Sequence, residues 1–289
     1  QPSELVKVGY IYAGASTLDR LYRRNNLYTF IGFSAFCVIA LALIGDFGTA
    51  LIFFATFLVI SYLRSGSIAT VLLAVTGAGL AGFLAVSVKP YIAQRFATWG
   101  HAWEDIYDKG FQQTRAMSAA ASGGLYGKGA GGGWLKDIFA ANTDMVFAVI
   151  CEEQGLIIGL IMVLAVLVLA FFAVRSARRG RSAYYSIASC AAMSMLLVQL
   201  ALNVFGSLDL LPFTGVTFPF VSRGGTSLIS CWMLMAFIKS SDTRRNASFA
   251  VRPGRGKDDE EEGNTPVSDN GFAPEDDPAN WEVWQPCEK

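Results

Sequence analysis

Three carboxylates stand in one short stretch, Phe139-Ala-Ala-Asn-Thr-Asp144-Met-Val-Phe-Ala-Val-Ile-Cys-Glu152-Glu153-Gln-Gly155. Asp144 is the last polar residue before a strongly apolar run. Glu152 and Glu153 fall about two turns into that run, where an unpaired charge costs roughly 2.5–3.5 kcal/mol in a bilayer. At helical spacing, positions 144, 148 and 152 share one face, which sets Glu152 beneath Asp144 on one wall of a cavity. A carboxylate at such a surface suits proton transfer, so Asp144 is the candidate reactive group of a membrane enzyme, with Glu152 beside it. The bland alternative is that Asp144 caps a helix beginning at Met145, with Thr143 as a competing cap.

Other polar groups stand where loops meet apolar runs. In Gly45-Asp46-Phe47-Gly48-Thr49-Ala50, Asp46 is either an N-cap for the amides of Gly48 or Thr49 or a carboxylate facing an outward cavity. The two roles are compatible. Ser122-Gly-Gly-Leu-Tyr-Gly-Lys128-Gly-Ala-Gly-Gly-Gly133 is no nucleotide P-loop, because no Ser or Thr follows Lys128 and the glycine spacing is wrong. Ala116 to Tyr126 reads as a short helix with an apolar face. Gly127 to Gly133 is then either a flexible linker or a place where backbone approaches a ligand, with Lys128 and Lys136 supplying charge. The second reading points to an anionic, phosphorylated substrate. Leu211 to Ser227 holds two prolines and a Gly pair, so no regular helix runs through it. It is an ordinary outer turn or a hairpin dipping toward the cavity, with Arg223 as its cation beside a helix N-terminus.

These groups need a frame, and composition supplies one. The chain is 53% apolar and 16% charged, and its apolar residues gather in runs of the length that crosses a bilayer, about 20 residues. The expected fold is all-α, a polytopic membrane helix bundle with about seven spans. They are Leu5–Leu21, Leu27–Ile44, Phe47–Leu63, Ile68–Val88, Met145–Val174 as one long helix, Ala183–Leu208 and Val221–Ile238. Lys7 and Asp19 interrupt the first, which holds only if packed inside a bundle. A long extracellular loop of about 55 residues, Lys89 to Asp144, is too long for a connector and is expected to be functional.

Basic residues fix the orientation. Arg20, Arg23 and Arg24, then Arg64, then Arg175, Arg178, Arg179 and Arg181, then Lys239, Arg244 and Arg245 fall on one side if the spans alternate. By the positive-inside rule that side is the cytoplasm. The long loop, the Gly45-Asp46 turn and the Leu210–Phe220 turn then face outward. Residues 1–240 form the membrane domain, and 241–289 read as a disordered, acidic cytoplasmic tail. Its Trp281-Glu-Val-Trp284 is a weak partner motif.

Lys+Arg and Asp+Glu both number 23, so no basic footprint for nucleic acid exists. The five cysteines, Cys37, Cys151, Cys190, Cys231 and Cys287, are scattered singly. The lone histidine, His101, lies in a loop. No metal-ligand or redox spacing is present, so no metal site is assigned. The chain opens on Gln1-Pro2-Ser3-Glu4 without Met or signal peptide, which reads as the C-terminal part of a longer protein.

Together these strings resemble the SEDS family (shape, elongation, division and sporulation), whose members include FtsW, RodA and SpoVE. The matches are Gln1-Pro-Ser-Glu4, Asp46-Phe-Gly-Thr-Ala50, Gly110-Phe-Gln112, Ser122 to Gly129, Thr143-Asp144, Phe147-Ala-Val, Glu152-Glu-Gln-Gly155, Leu211-Pro-Phe-Thr-Gly215, Pro219-Phe, Gly224-Gly and Ser227. They run in family order from residue 1 to about residue 240. The resemblance implies a bundle of ten spans, of which the first three, with the outer loop between the first two, are lacking here. It implies a peptidoglycan glycosyltransferase that polymerises lipid II, the undecaprenyl-pyrophosphate-linked disaccharide-pentapeptide. That work takes place at the outer face of the cytoplasmic membrane during division or elongation. A class B penicillin-binding protein (the crosslinking transpeptidase) and other divisome or elongasome membrane proteins are the implied partners.

The same resemblance puts the essential catalytic carboxylate on Asp144 and a second important one on Glu152. Asp46, Gln112, Arg115, Lys128, Lys136 and Arg223 are the substrate-binding candidates. Arg115, Lys128 and Lys136 would offset charge on the pyrophosphate, and a divalent cation such as Mg or Mn could share that task. The family often has Gln and Ser at Arg115 and Ala116, Leu-Pro-Glu at Phe139-Ala-Ala, and Tyr at Arg223. A lipid II flippase and a non-catalytic scaffold of the division machinery are the alternative functions.

Overall fold

In the computed structural model the described residues are 1–19, 24–88, 99–108, 110–178 and 183–241. The chain divides into two units, Gln1–Thr243 and Arg244–Lys289, and the second lies outside the described residues. So do Arg20, Arg23, Arg179, Arg181, Cys287 and the tail beyond Ser241.

The described residues form an all-helical bundle. Its elements are α1 (Pro2–Asp19), α2 (Arg24–Ile44), α3 (Phe47–Ser65), α4 (Ile68–Val88), α5 (Phe111–Gly123), a 3-10 turn (Leu135–Asp137), α6 (Ala141–Asp144), α7 (Val146–Gln154), α8 (Leu156–Ala177), α9 (Ala183–Ser207) and α10 (Gly225–Ser240). Phe47–Ser65, Leu156–Ala177 and Ala183–Ser207 are long and apolar enough to cross a membrane; Thr29–Ile44, Ile68–Gly77 and Gly225–Ser240 are shorter apolar helices.

α9 is the central helix. It packs against α1, α3, α8 and α10 and also meets α5 and α7. Ala188, Ser189, Ala191 and Ala192 on it are fully buried. Such small side chains let backbones approach closely, which is how helices associate where apolar burial gives no advantage over lipid. Between α1, α2 and α3, Tyr10 lies against Phe30, Phe33 and Phe53, and its hydroxyl donates to Ser34 Oγ at 2.8 Å.

Lys7 explains how the weak first span holds. It is fully buried and donates to Glu4 Oε1 at 2.8 Å and to Gln199 Oε1 at 3.2 Å. Gln199 donates onward to the Thr217 carbonyl and hydroxyl, and Thr217 shares a 2.8 Å bond with Ser227. α1, α9, the 210–224 segment and α10 are thus joined by one polar chain. A charge left alone at this depth would be strongly destabilising.

Two expected spans change shape. The single helix from Met145 to Val174 is two helices. Gly155 adopts φ 91° and ψ 162° between α7 and α8, and a Cβ there would stand 2.2 Å from the Leu125 carbonyl oxygen. Only glycine accepts both that conformation and that proximity. The last span begins at Gly225 rather than Val221, because residues 218–223 are spent on turns whose amides bond to Phe218 O.

Candidate active site

The site is assembled around the turn that carries Asp144. Ala140 takes a left-handed conformation, α6 makes a single turn, and Met145 breaks the helix at φ −115° and ψ 22° before α7. Three successive carbonyls of this turn are then bound from outside it. Arg223 N donates to Asn142 O at 2.9 Å, Ser222 Oγ to Thr143 O at 2.6 Å, and Asn203 Nδ2 to Asp144 O at 2.9 Å. Asn203 also donates to Val216 O at 2.7 Å, and Phe218 N donates to Ser222 Oγ at 2.7 Å. The clamps are therefore braced against the 210–224 segment, which folds back on the bundle as a hairpin.

The Asp144 carboxylate stays out of this bonding. α7 has Met145 as its N-cap residue and no side-chain cap bond, so the capping role expected as the alternative is not filled by Asp144. The side chain is half-buried. Burial raises its carboxyl above the ordinary aspartate value, with the Thr143 hydroxyl beside it pulling the other way. Gly215 of the hairpin faces it. At φ 69° with a hypothetical Cβ only 3.1 Å from Asp144 Oδ2, Gly215 brings bare backbone against the carboxylate. The result is a half-buried carboxylate on a turn whose carbonyls are held by Arg223, Ser222 and Asn203.

Glu152 is held differently, with its carboxylate bound by the glycine-rich loop and the 3-10 turn rather than left open to a cavity. The Asp144 carbonyl is taken by Asn203, and the helix is interrupted at Met145 between the two residues. Glu152 is fully buried. Its Oε1 accepts from Lys128 Nζ at 3.0 Å and Trp134 N at 3.1 Å, and its Oε2 accepts from Leu135 N at 3.0 Å. Burial alone would raise this carboxyl. The amides of Leu135 and Trp134 and the Lys128 ammonium outweigh it and hold the group below the ordinary value.

The glycine-rich loop is also corrected in part. Its Gly127–Gly129 portion approaches protein rather than ligand. Lys128 N donates to Glu152 O and Gly129 N to Glu153 O, each at 2.9 Å, while Leu156 N donates back to Gly124 O at 3.0 Å. The loop closes the C-terminal end of α7, whose last carbonyls would otherwise lack partners. The preceding helix is Phe111–Gly123 rather than Ala116–Tyr126.

The remaining candidates are dispersed. Asp46 caps α3, accepting from Thr49 N at 3.1 Å, and also holds Gln1 Nε2 at 3.0 Å. Gln112 is half-buried on α5, and the Arg115 guanidinium lies 5.3 Å from the Phe111 ring on the same helix. Lys136 is exposed and donates to Gly131 O. Arg223 is exposed beside the start of α10. His101 is exposed, with Nδ1 3.1 Å from Trp99 O. Cys37, Cys151, Cys190 and Cys231 are free thiols. Among the described residues no group of three or more His, Cys, Asp or Glu could hold a metal ion.

Asn203 and Ser222 were not singled out by sequence. An amide side chain inside an apolar run was the available signal for Asn203. Ser222 carried none.

Comparisons with known proteins identify the family of the chain. A family model described as the cell cycle protein family FtsW/RodA/SpoVE matches residues 1–247. The chain is 33% identical over 82% of its length to stage V sporulation protein E of Bacillus subtilis, covering 66% of that protein. It is 29% identical over 88% of its length to a probable peptidoglycan glycosyltransferase FtsW of Buchnera aphidicola, covering 67% of it, and 30% identical over 72% to a peptidoglycan glycosyltransferase RodA of Mycobacterium bovis, covering 44%. The chain thus spans about two thirds or less of these relatives. A solved peptidoglycan synthase complex, described as coordinating polymerization and crosslinking, superposes with a TM-score of 0.66 at 26% identity, covering 85% of this chain and 71% of that one.

Proposed function

The chain belongs to the FtsW/RodA/SpoVE family, and from that premise we propose that it carries the catalytic carboxylate of a peptidoglycan glycosyltransferase acting on lipid II at the outer face of the cytoplasmic membrane. The observation that carries this reading is the Asp144 turn. Its three carbonyls are clamped while its carboxylate, raised by burial, is left for chemistry.

In the proposed step Asp144 takes the proton from the acceptor's sugar hydroxyl. That oxygen forms a bond to the donor's anomeric carbon, and the carbon–oxygen bond to the pyrophosphate lipid breaks with its electron pair leaving on the pyrophosphate. The outcome is inversion. A raised carboxyl suits a general base, whose efficiency peaks when its pKa nears the working pH. Arg223, exposed beside the α10 N-terminus, and Arg115 are the cations proposed to meet the pyrophosphate. Lys128 contributes through Glu152 by holding the loop. The exposed apolar faces of α8 and α4 would keep polyprenyl tails in the membrane plane. A class B penicillin-binding protein is the proposed partner, in line with the synthase complex that the fold matches.

The test is polymerisation of labelled lipid II by the full-length protein with its partner synthase, wild type beside Asp144→Asn, read as glycan ladders. Ladders from wild type alone are the expected result. Ladders from both remove Asp144 from the chemistry. A flippase would make none and would draw on the buried Lys7–Glu4 pair inside the bundle.

A further inference from the structure

Asp209 is a carboxylate that the chemistry above does not use. It stands at the corner where α9 passes into the 210–224 hairpin, and two local preferences run against it. Its φ is 59°, a left-handed conformation where glycine is the unstrained choice just past a helix. The amides of Leu210 and Leu211 both return to Phe205 O, so Asp209 also sits at the carbonyl end of α9, where the helix dipole disfavours an anion.

Its side chain accounts for its presence. Asp209 Oδ1 accepts from Gln113 Nε2 at 2.8 Å and from Gly100 N at 3.3 Å. Gln113 is buried in the first turn of α5. Gly100 begins the 99–108 turns, in which Ala102 is fully buried and Asp105 O accepts from Gly110 N. α5 then sends Ala116 and Ala119 into a small core with Leu135, Ala141, Met145 and Ala148, on both sides of Asp144 in sequence. One carboxylate thereby ties the end of the helix bearing Asn203 to the element that packs over the Asp144 turn.

We propose that Asp209 is a positioning residue that locks α5 and the 99–108 turns onto the α9 corner and so fixes the outer side of the Asp144 turn. It touches no substrate. Its effect on rate rests on the glycosyltransferase reading; its effect on the Asp144 turn does not.

The experiment uses the full-length protein in lipid nanodiscs. Asp209→Gly keeps the left-handed backbone and removes the acceptor. Asp209→Asn keeps an acceptor oxygen and removes the charge. Gln113→Leu and the Asp209→Gly/Gln113→Leu double variant close the cycle. Hydrogen exchange is followed over residues 111–123 and 141–149, and labelled lipid II polymerisation is measured in parallel. Asp209→Gly is expected to speed exchange in both segments about tenfold or more and to lower kcat about tenfold with KM little changed. Asp209→Asn should stay within about threefold of wild type, and the double variant should be no slower than Asp209→Gly. Unchanged exchange over 141–149 in Asp209→Gly overturns the proposal. So does Asp209→Asn as slow as Asp209→Gly, or a double variant whose losses add. If the wild type makes no glycan, the glycosyltransferase reading falls, and exchange still decides the clamp.

Discussion

Asp144 and Glu152 belong to one short stretch of sequence and are held in opposite ways. At Asp144 the backbone is bound by Arg223, Ser222 and Asn203, and the carboxylate is left aside. At Glu152 the carboxylate itself is bound, by one ammonium and two amides. Their carboxyl groups move accordingly, upward at Asp144 and downward at Glu152. Burial of a carboxylate therefore does not mark it as reactive. What matters is whether the donors around it stabilise the side chain or only the backbone that aims it.

The largest effect expected from this contrast is at Asp144. Asp144→Asn should lower polymerisation by about 10²–10⁴-fold, the usual share of a general base, without lowering the melting temperature. The sign follows from linkage. A carboxyl raised in the folded state disfavours its own ionisation there, so its contribution to stability is lost as pH rises through the raised value. Removing the charge relieves that loss at neutral pH. The acid limb of the wild-type rate profile should correspondingly fall at a higher pH than an ordinary aspartate would give. A thermally weakened Asp144→Asn protein would make Asp144 a structural residue like Glu152 and erase the distinction.

Glu152→Ala should do the reverse, acting first on stability. It orphans the Trp134 and Leu135 amides and the Lys128 ammonium, at about 2–3 kcal/mol, since Lys128 is partly exposed and its share is screened. A carboxyl held low in the folded state gives stability that is present above its unfolded value and lost as pH falls through the lowered one. Unfolding followed from neutral to acid pH should show the wild type and the variant converging. Activity loss in a variant of undiminished stability would instead place Glu152 at the reacting atoms.

How much of this was legible in the sequence divides along the same line. Apolar runs gave the spans, because a membrane helix is specified by local composition; Ile68–Val88 matches α4 at both ends. The break at Gly155 escaped, because an apolar run reads alike on both sides of a kink. Asp144 stood out as a polar residue at a boundary. The engagement of the Glu152 carboxylate did not, because its partners Lys128, Trp134 and Leu135 come from a loop that apolar periodicity does not place. The glycine-rich loop was legible as a place of close approach. Which backbone approaches was not, since α7 carbonyls and a phosphate oxygen make the same demand on an amide.

The clamps offer an intermediate test. Asn203→Ala frees the Asp144 and Val216 carbonyls and should lower kcat about tenfold to a hundredfold through misplacement of the carboxylate. The pH at which the acid limb falls should stay near that of wild type, because the group that titrates is unchanged. Ser222→Ala releases the Thr143 carbonyl and the Phe218 amide and should act in the same direction. A shifted acid limb in either variant would mean that these residues tune the Asp144 carboxyl as well as aim it.

The smallest effect is expected at Lys136, and it bears on the loop's assignment. The side chain is exposed, and its bond to Gly131 O closes a turn within the loop. An ammonium has three donors, so that bond does not exhaust it. Lys136→Ala should leave stability within about 0.5 kcal/mol, as surface changes generally do, and KM for lipid II close to wild type. A raised KM with kcat intact would show uniform binding lost on removal of the cation. That result would mean Lys136 leaves Gly131 to meet the pyrophosphate. The loop would then join the Asp144 side of the comparison, as a part held ready for substrate, rather than the Glu152 side, as a part consumed in holding the fold.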